Sequence, residues 1–444
     1  MTGYSKEDIL KLAADNGVKF INLQFADIFG ISKNVAITAE HLERALDGRC
    51  MFDGSSVEGF VRVEESDMYL RPDPNTFTIF PWNEHTGKTA RLICDVVMHD
   101  GSVFEGDPRY VLKKTLKKLN DMGYDSFNVG PECEFFLFKT NDRGEPETVT
   151  QDRGGYFDLG PVDLGENARR DVCLVLEKLG FEIEASHHES APGQHEIDFR
   201  YKDGLEIADC ILTFKQVVKT ISYRNGLYAT FIPKPIAGVS GSGMHTNLSI
   251  SKNGRNIFSN GIDAQSLSRE ACWFIGGLIK YAREITAVTN PLVNSYKRLV
   301  AGHEAPLYIA WSAKNRSTMI RIPAARGDST RIELRSPDPA CNPYLALALI
   351  LNAGLEGIKN RIEPPTPYEK NIYHLSEEQR EETGIEKLPE SLMEAIACMK
   401  KSEMVKEVLG EHIFQKYIEA KTFEWHEYRK VVSQWEIDQY LGKY

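Results

Sequence analysis

The 444-residue chain lacks any Cys-x-x-Cys pair, because its eight cysteines stand singly at 50, 94, 133, 173, 210, 272, 341 and 398. That excludes a zinc ribbon or a thioredoxin-type site and leaves reduced, mostly buried thiols as the plain expectation. A basic excess is missing too. Lys and Arg total 53 against 64 Asp and Glu, a net charge of −11, which disfavours sequence-independent attraction to nucleic acid or to an anionic membrane. No apolar run reaches the roughly 18 residues needed to span a bilayer, and the opening Met-Thr-Gly-Tyr-Ser-Lys-Glu-Asp has neither the basic nor the apolar stretch of a signal peptide. A cytoplasmic location is expected. Neither a Gly-x-Gly-x-x-Gly following a strand nor a full Walker Gly-x-x-x-x-Gly-Lys-Ser/Thr occurs, since Gly87-Lys88-Thr89 has Trp82 in place of the first glycine, so a nucleotide would need another phosphate cradle, and metal ions are the obvious substitute.

What is present is an ordinary folded composition, 42% hydrophobic and 26% charged, on a chain long enough for two or three domains. Ser5 and Asp8 resemble a capping box opening a helix over 6–16, ended by Gly17. Short β-favouring segments follow at 18–25, 32–38, 76–82 and 91–98, with a helix near 39–46, which describes a small strand-rich first domain. Asp107 before Pro108 can open a new helix, so the chain divides into residues 1–104 and 105–444. Beyond that point strands near 126–138, 181–186, 194–200, 227–232 and 244–251 alternate with helices near 166–179, 204–224, 266–286 and 343–359. The predicted class is α+β with a large sheet.

Side chains alternate across a strand, so Glu132 and Glu134 in Pro131-Glu132-Cys133-Glu134 must share a face. Two like charges side by side persist most naturally around a cation, although an exposed edge with both carboxylates in water is the competing reading. Glu189 and Glu196 flank the turn-forming Ser190 to His195, which could bring two more carboxylates to one point. His245, Asn247 and Ser249 share another strand face, as do Arg331, Glu333 and Arg335. Glutamates with a histidine and no thiolate suit magnesium or manganese, and the nearby arginines, among them Arg298, Arg316 and Arg321, suit phosphate or carboxylate oxygens. His187 and His188 offer a zinc site with His195, but neighbours on a strand face opposite ways, so only one could join the cluster. Both are read as supporting or core histidines.

These segments, with Phe52-Asp53-Gly54-Ser55-Ser56, Glu65-Ser66-Asp67, the Gly241-Ser242-Gly243-Met244-His245 loop, Asn294-Ser295-Tyr296-Lys297-Arg298, Asn315-Arg316-Ser317 and Arg331 to Pro339, resemble a type I glutamine synthetase from the first helix to the last. The length and Arg62-Val63-Glu64-Glu65 resemble its shorter Gram-positive (alpha) subclass. The resemblance implies a β-grasp-like N-terminal domain and a large catalytic domain with a curved antiparallel sheet and flanking helices. It also implies a homododecamer of two hexameric rings with sites between subunits. The implied reaction joins ammonia to the side-chain carboxylate of L-glutamate through a γ-glutamyl phosphate, consuming ATP, with two or three Mg²⁺ or Mn²⁺ per subunit. One metal is expected on Glu134, Glu189 and Glu196, the other on Glu132, His245 and Glu333. Arg298, Arg316 and Arg335, with Gly241, match positions that hold glutamate or the transferring phosphate. Glu184, Tyr201, Asn247, Ser249, Arg321 and Arg331 match the nucleotide side. Asp53, supplied by a neighbouring subunit, Ser56, Tyr156 and Glu189 match the ammonium pocket, and Glu304 matches the flap that closes over the acyl phosphate. Arg62 is expected to sense product, nitrogen-regulatory proteins are expected partners, and Tyr373, where adenylylated relatives carry their modified tyrosine, is expected to be inert.

The sequence departs from the family pattern at Ser240, where the loop usually carries asparagine, and at Ala301, Gly302 and His303 before Glu304-Ala305-Pro306. Loss of that amide motivates an alternative in which another amine replaces ammonium. A silent assembly protein is the third reading, and it is disfavoured because all six metal-ligand positions are retained.

Overall fold

The computed structural model describes residues 3–57, 59–60, 67–82, 87–260, 267–302, 305–370, 372–374, 378–379 and 383–444. Arg62 and Glu304 lie outside the described residues. The chain opens with α1 (Lys6–Asp15), closed at its start by the reciprocal Ser5 and Asp8 capping box, and builds a first sheet from β1 (Val18–Ala26), β2 (Ser32–Thr38), β3 (Cys50–Asp53), β4 (Asp67–Pro72), β5 (Thr78–Phe80) and β6 (Lys88–Val97). Its order is β2-β1-β6-β4-β3, with β5 also on β6 and β1 running parallel to β6. Strands β3 and β4 add to the expected set, since neither carries a long β-branched run. The expected helix near 39–46 is a 3₁₀ turn at Ala39–His41 running into α2 (Leu42–Leu46). Ile9, Ile21, Leu23, Leu42, Met68, Leu70 and Leu92 form one apolar core beneath this sheet.

The second sheet has eleven strands: β7 (Ser126–Thr140), β8 (Pro146–Thr150), β9 (Ile183–His188), β10 (Gln194–Phe199), β11 (Lys202–Asp203), β12 (Leu227–Thr230), β13 (Met244–Lys252), β14 (Arg255–Asn256), β15 (Trp311–Ser312), β16 (Ile320–Arg321) and β17 (Ile332–Leu334). Its main path is β15-β16-β17-β13-β7-β10-β9. The long strand β7 is therefore central. Phe127, Val129, Cys133, Phe135 and Leu137 point from it into the main core, while the residues between them face the other way. Helices α3 (Pro108–Asp121), α4 (Glu166–Lys178), α5 (Gly204–Arg224), α6 (Arg269–Thr289), α7 (Ser295–Arg298) and α8 (Pro343–Asn360) belong to the same body. Helix α8 is apolar nearly all round and is buried from Pro343 to Leu355, as such a helix must be. Among the described residues, three more helices follow, α9 (Leu392–Met399), α10 (Glu403–Tyr428), broken at Gly410, and α11 (Gln434–Tyr440). All eight cysteines are free, and no described helix is long and apolar enough to cross a membrane.

One buried guanidinium joins the two sheets. Arg109, at the start of α3, donates to Asp73 (2.9 Å) and Asp95 (2.8 Å) of the first-sheet region and to both oxygens of Asp209 on α5 (3.1 and 2.9 Å), while the Tyr344 hydroxyl of α8 also donates to Asp209. Removing one member of a buried charge network strands the others in a low dielectric. Arg109→Met is therefore expected to lose about 3–5 kcal/mol in urea unfolding, and a loss below about 1 kcal/mol would show that the network is not a structural joint.

Candidate active site

Register brings the sequence-predicted carboxylates together. On one side of β7, Glu132 pairs with His245 of β13; on the other, Glu132 pairs with Asp198 and Glu134 with Glu196 of β10. One strand further out, Glu333 of β17 pairs with Asn247 of β13. Directly opposed residues share a face, so these side chains converge on one surface of the sheet. Glu132, His245 and Glu333 bring ligand atoms within 4.8 Å of one another. Glu196 falls into a second close group with His187 and Asp198. The turn after β9 delivers Glu189, closed by the Glu189 N–H donating to the Gln194 carbonyl (2.7 Å), and Gln194 Nε2 donates to Glu134 Oε2 (2.6 Å).

Glu134, Glu189, Glu196 and Glu333 are all buried. Burial, reinforced by the Glu189 charge, pushes the Glu134 carboxyl up to about 8, and burial with repulsion from Glu134, Asp198 and Glu189 raises Glu196 well above the carboxylate range. Burial likewise lifts Asp198 to about 6. Glu132 goes the other way: burial opposes its charge, but hydrogen bonds from His245 and Asn247, with Arg335 nearby, hold it at about 2. Burial and Arg335 lower the His245 pKa, favouring the neutral imidazole that ligates metals. So much crowded negative charge out of water is unfavourable unless cations join it. The donors are oxygens and one imidazole nitrogen, a set that fits magnesium or manganese.

Arginines frame the group. Arg335 Nη1 donates to Glu333 Oε1 (3.0 Å), and Arg321 donates to the other Glu333 oxygen. Arg335 Nε is buried with no hydrogen-bond partner among the described residues, a donor left for an anionic guest. Buried Arg298 donates to the Ser336 carbonyl (2.9 Å) and lines a small pocket with Glu134, Glu189, Ser240, Gly241 and His245. Arg316 is exposed on the loop after β15. Asn247 bridges outward, its Nδ2 donating to Glu132 Oε1 (2.9 Å) and its Oδ1 accepting from Arg331 Nε (3.0 Å). Beyond it opens a cleft of about 770 Å³ whose walls include Glu132, Glu184, Asp198, Tyr201, Asn247, Ser249 and Arg331. Tyr201 is exposed there, beside Arg200. A separate cleft of about 600 Å³ between β1, β2 and α5 is lined by Lys33, Lys215, Lys219 and Lys421 and, among the described residues, by no carboxylate, so its lining does not suit a dication.

Other candidates lie apart from this group. Asp53, the last residue of β3, and Ser56, in the 3₁₀ turn that follows it, are exposed and line neither the 770 Å³ cleft nor the small pocket. The Asp53 carboxylate accepts from the Ser55 amide (2.8 Å). Tyr156 is exposed and stacks on Phe157, with both rings edge-on to His187. The Tyr373 hydroxyl donates to the Ala305 carbonyl, next to the Glu304 position. Asp198 joins the site beyond the residues expected from sequence, although it sits two residues from Glu196 on the same strand face. Asp152, a buried carboxylate behind the site, carries no local sequence signal at all.

A surface with this donor set and an adjoining cleft has the chemistry of an enzyme that handles phosphate. The glutamine synthetase β-grasp domain model matches residues 17–99, and the glutamine synthetase catalytic domain model matches residues 105–440. The chain therefore belongs to the glutamine synthetase family. It is 59% identical over 444 residues to a glutamine synthetase of Clostridium saccharobutylicum, covering all of both chains, and 56% identical over 441 residues to one of Staphylococcus aureus, covering 99% of each. Among solved structures it resembles a GmaS/ADP complex, at a TM-score of 0.89 and 32% identity, covering 98% of this chain and 99% of that one.

Proposed function

We propose that this sheet face is the catalytic centre of an ATP-dependent glutamate–ammonia ligase that forms glutamine, ADP and phosphate. The observation that carries the reading is the Glu132, His245 and Glu333 triplet, with its ligand atoms within 4.8 Å, beside a nucleotide-sized cleft. The family uses divalent cations and ATP. Glu132, His245 and Glu333 would hold one dication and Glu134, Glu189 and Glu196 another, and bound there they would neutralise charge on the phosphoryl group being transferred.

The residues do the rest. Tyr201 offers a flat face to adenine, and Arg331, Asn247, Ser249 and Glu184 bound the nucleotide. The similar GmaS structure is a complex with ADP, which supports a nucleotide in this cleft. Arg298 and Arg335, with Gly241, bind the glutamate carboxylates and the transferring phosphate, and Arg316 and Glu304 complete the closed site. A carboxylate is a poor electrophile, so ATP first converts the glutamate side chain into an acyl phosphate. Ammonium is no nucleophile, so Asp53 accepts its proton in a pocket shared with Ser56, Tyr156 and Glu189, whose negative charge favours the cation. Ammonia then displaces phosphate. The exposed position of Asp53, away from its own chain's clefts, supports its delivery to a neighbouring copy. Exposed Val431, Val432, Trp435 and Leu441 at the C-terminal end support assembly, which we read as a dodecamer of two hexameric rings. The two domain matches support division near residue 104. Feedback through Arg62 and nitrogen-regulatory partners belong to the same proposal, as does a cytoplasmic location.

Phosphate release should require ATP, glutamate and ammonium together; release indifferent to ammonium would reject the reading. Ser240 on the wall of the small pocket favours a second reading with a larger amine, so ammonium, methylamine and putrescine should be compared as acceptors, with ammonium expected to give the highest kcat/KM. Tyr201→Ala should raise KM for ATP about tenfold, the loss expected for one base-to-ring stack, while leaving KM for ammonium in place. An unchanged KM for ATP would remove Tyr201 from the adenine site.

A further inference from the structure

Behind the carboxylate face, buried Asp152, Asp163, His188 and His195 bring ligand atoms within 4.8 Å of one another. This is not a cation site. Arg169 stands among them, donating to Asp163 (2.7 Å) and lying 2.9 Å from His195 Nδ1, and the His195 Nε2 lies 2.8 Å from the Gln151 amide. Both partners of the His188 ring are acceptors: the Glu189 carbonyl at 2.7 Å from Nδ1 and Asp152 Oδ1 at 3.1 Å from Nε2. The His188 ring is thus held at both nitrogens, between the backbone of the Glu189 turn and the Asp152 carboxylate.

Asp152 also gathers backbone from two separate segments. Its Oδ1 accepts from the Gly193 amide (2.9 Å) in the turn that carries Glu189, and from Gly154 (3.3 Å), while its Oδ2 accepts from Leu164 (3.2 Å). The last two are the ends of the excursion that carries Tyr156. Those ends also press on the two rings. A Cβ at Gly154 would lie 2.8 Å from His188 Nε2, and one at Gly165 2.5 Å from His195 Cε1, so a larger residue could not keep either approach.

We infer that Asp152 and His188 are a positioning pair for the ammonium pocket: their shared hydrogen bonds lock the Tyr156 excursion to the Glu189 turn, so that the two walls of the pocket move as one piece. The inference rests on the assignment of Tyr156 and Glu189 to that pocket. Neither member touches the reacting atoms. Their effect passes through the Glu189 carbonyl and the Gly193, Gly154 and Leu164 amides, and displacements of about an ångström at a pocket wall suffice for large losses.

The test is Asp152→Asn in the full-length assembled enzyme, a change that keeps size and one acceptor oxygen but removes the charge. KM for ammonium should rise about tenfold or more, with KM for ATP within about twofold. Amide hydrogen exchange should quicken together in residues 153–165 and 189–194 while α8 and β7 exchange as in wild type. The less conservative Gly154→Ala, which displaces His188 from the other side, should loosen the same two segments. Wild-type exchange in both segments would overturn the lock whatever ammonium does, and faster exchange throughout the chain would reduce it to a folding defect and overturn it as well. Tyr156→Ala separates the two levels. If it raises KM for ammonium but Asp152→Asn does not, the positioning role falls and the pocket stands; if the segments loosen together while neither variant changes KM, the pocket assignment falls and takes the positioning role with it.

Discussion

Replacing Glu333 by alanine should lower kcat/KM for phosphate release by about three orders of magnitude, which corresponds to roughly 4 kcal/mol of transition-state stabilisation. The size of the effect follows from what Glu333 touches. Its carboxylate closes the triplet with Glu132 and His245 and takes a guanidinium on each oxygen, Arg335 on one and Arg321 on the other. Alanine would remove a ligand and also leave two cations without their counter-charge, so ion binding and arginine placement fail together. Glu333→Asp keeps the charge on a shorter stem and should recover part of the loss at raised Mg²⁺ or Mn²⁺. Titrating both ions against wild type and the two variants checks this, and a loss under tenfold in the alanine variant would take Glu333 out of the machinery.

The second large effect concerns stability and reverses with the ion supply. Buried Glu134 faces Glu189, and Glu196 is pushed up by both, so without cations their mutual repulsion works against the fold. Saturating Mg²⁺ or Mn²⁺ at about a hundred times Kd should stabilise wild type by about 2.7 kcal/mol per site, seen as a higher Tm than in chelator. Glu134→Gln keeps the shape and the oxygen that accepts from Gln194 and Gly243. In chelator this variant should be at least as stable as wild type, and on adding Mg²⁺ or Mn²⁺ it should gain markedly less. A variant that is less stable in chelator and gains as much as wild type would place the ion elsewhere.

Much of this site can be read along the chain because strand periodicity is local. Alternation alone puts Glu132 with Glu134, and His245 with Asn247 and Ser249, on common faces, and the same step taken from Glu196 reaches Asp198. Capping residues set the starts of α1 and α3 for the same local reason. Which strands lie side by side is not local. Nothing near Glu132 states that β13 flanks it on one side and β10 on the other, and only the resemblance to a known family supplies that pairing. Asp152 shows the limit most clearly: its partners come from residues 154, 164, 188 and 193, and an aspartate that holds distant backbone looks, in sequence, like any loop aspartate. Strands β3 and β4 escape a sequence reading because their burial alternates over only four and six residues.

The central place of β7 sets a ruler for the chemistry. In the proposed centre Glu132 and Glu134 belong to different ligand sets but to one rod of backbone, and two residues of extended chain advance about 7 Å. The spacing between the two halves of the centre is thus dictated by peptide pitch rather than by adjustable loops, and a change of ion radius can be absorbed only by side-chain torsions. A single inserted residue between them would throw one carboxylate through the sheet into the oily layer beneath, so this stretch should tolerate swaps of residue type far better than any change of length.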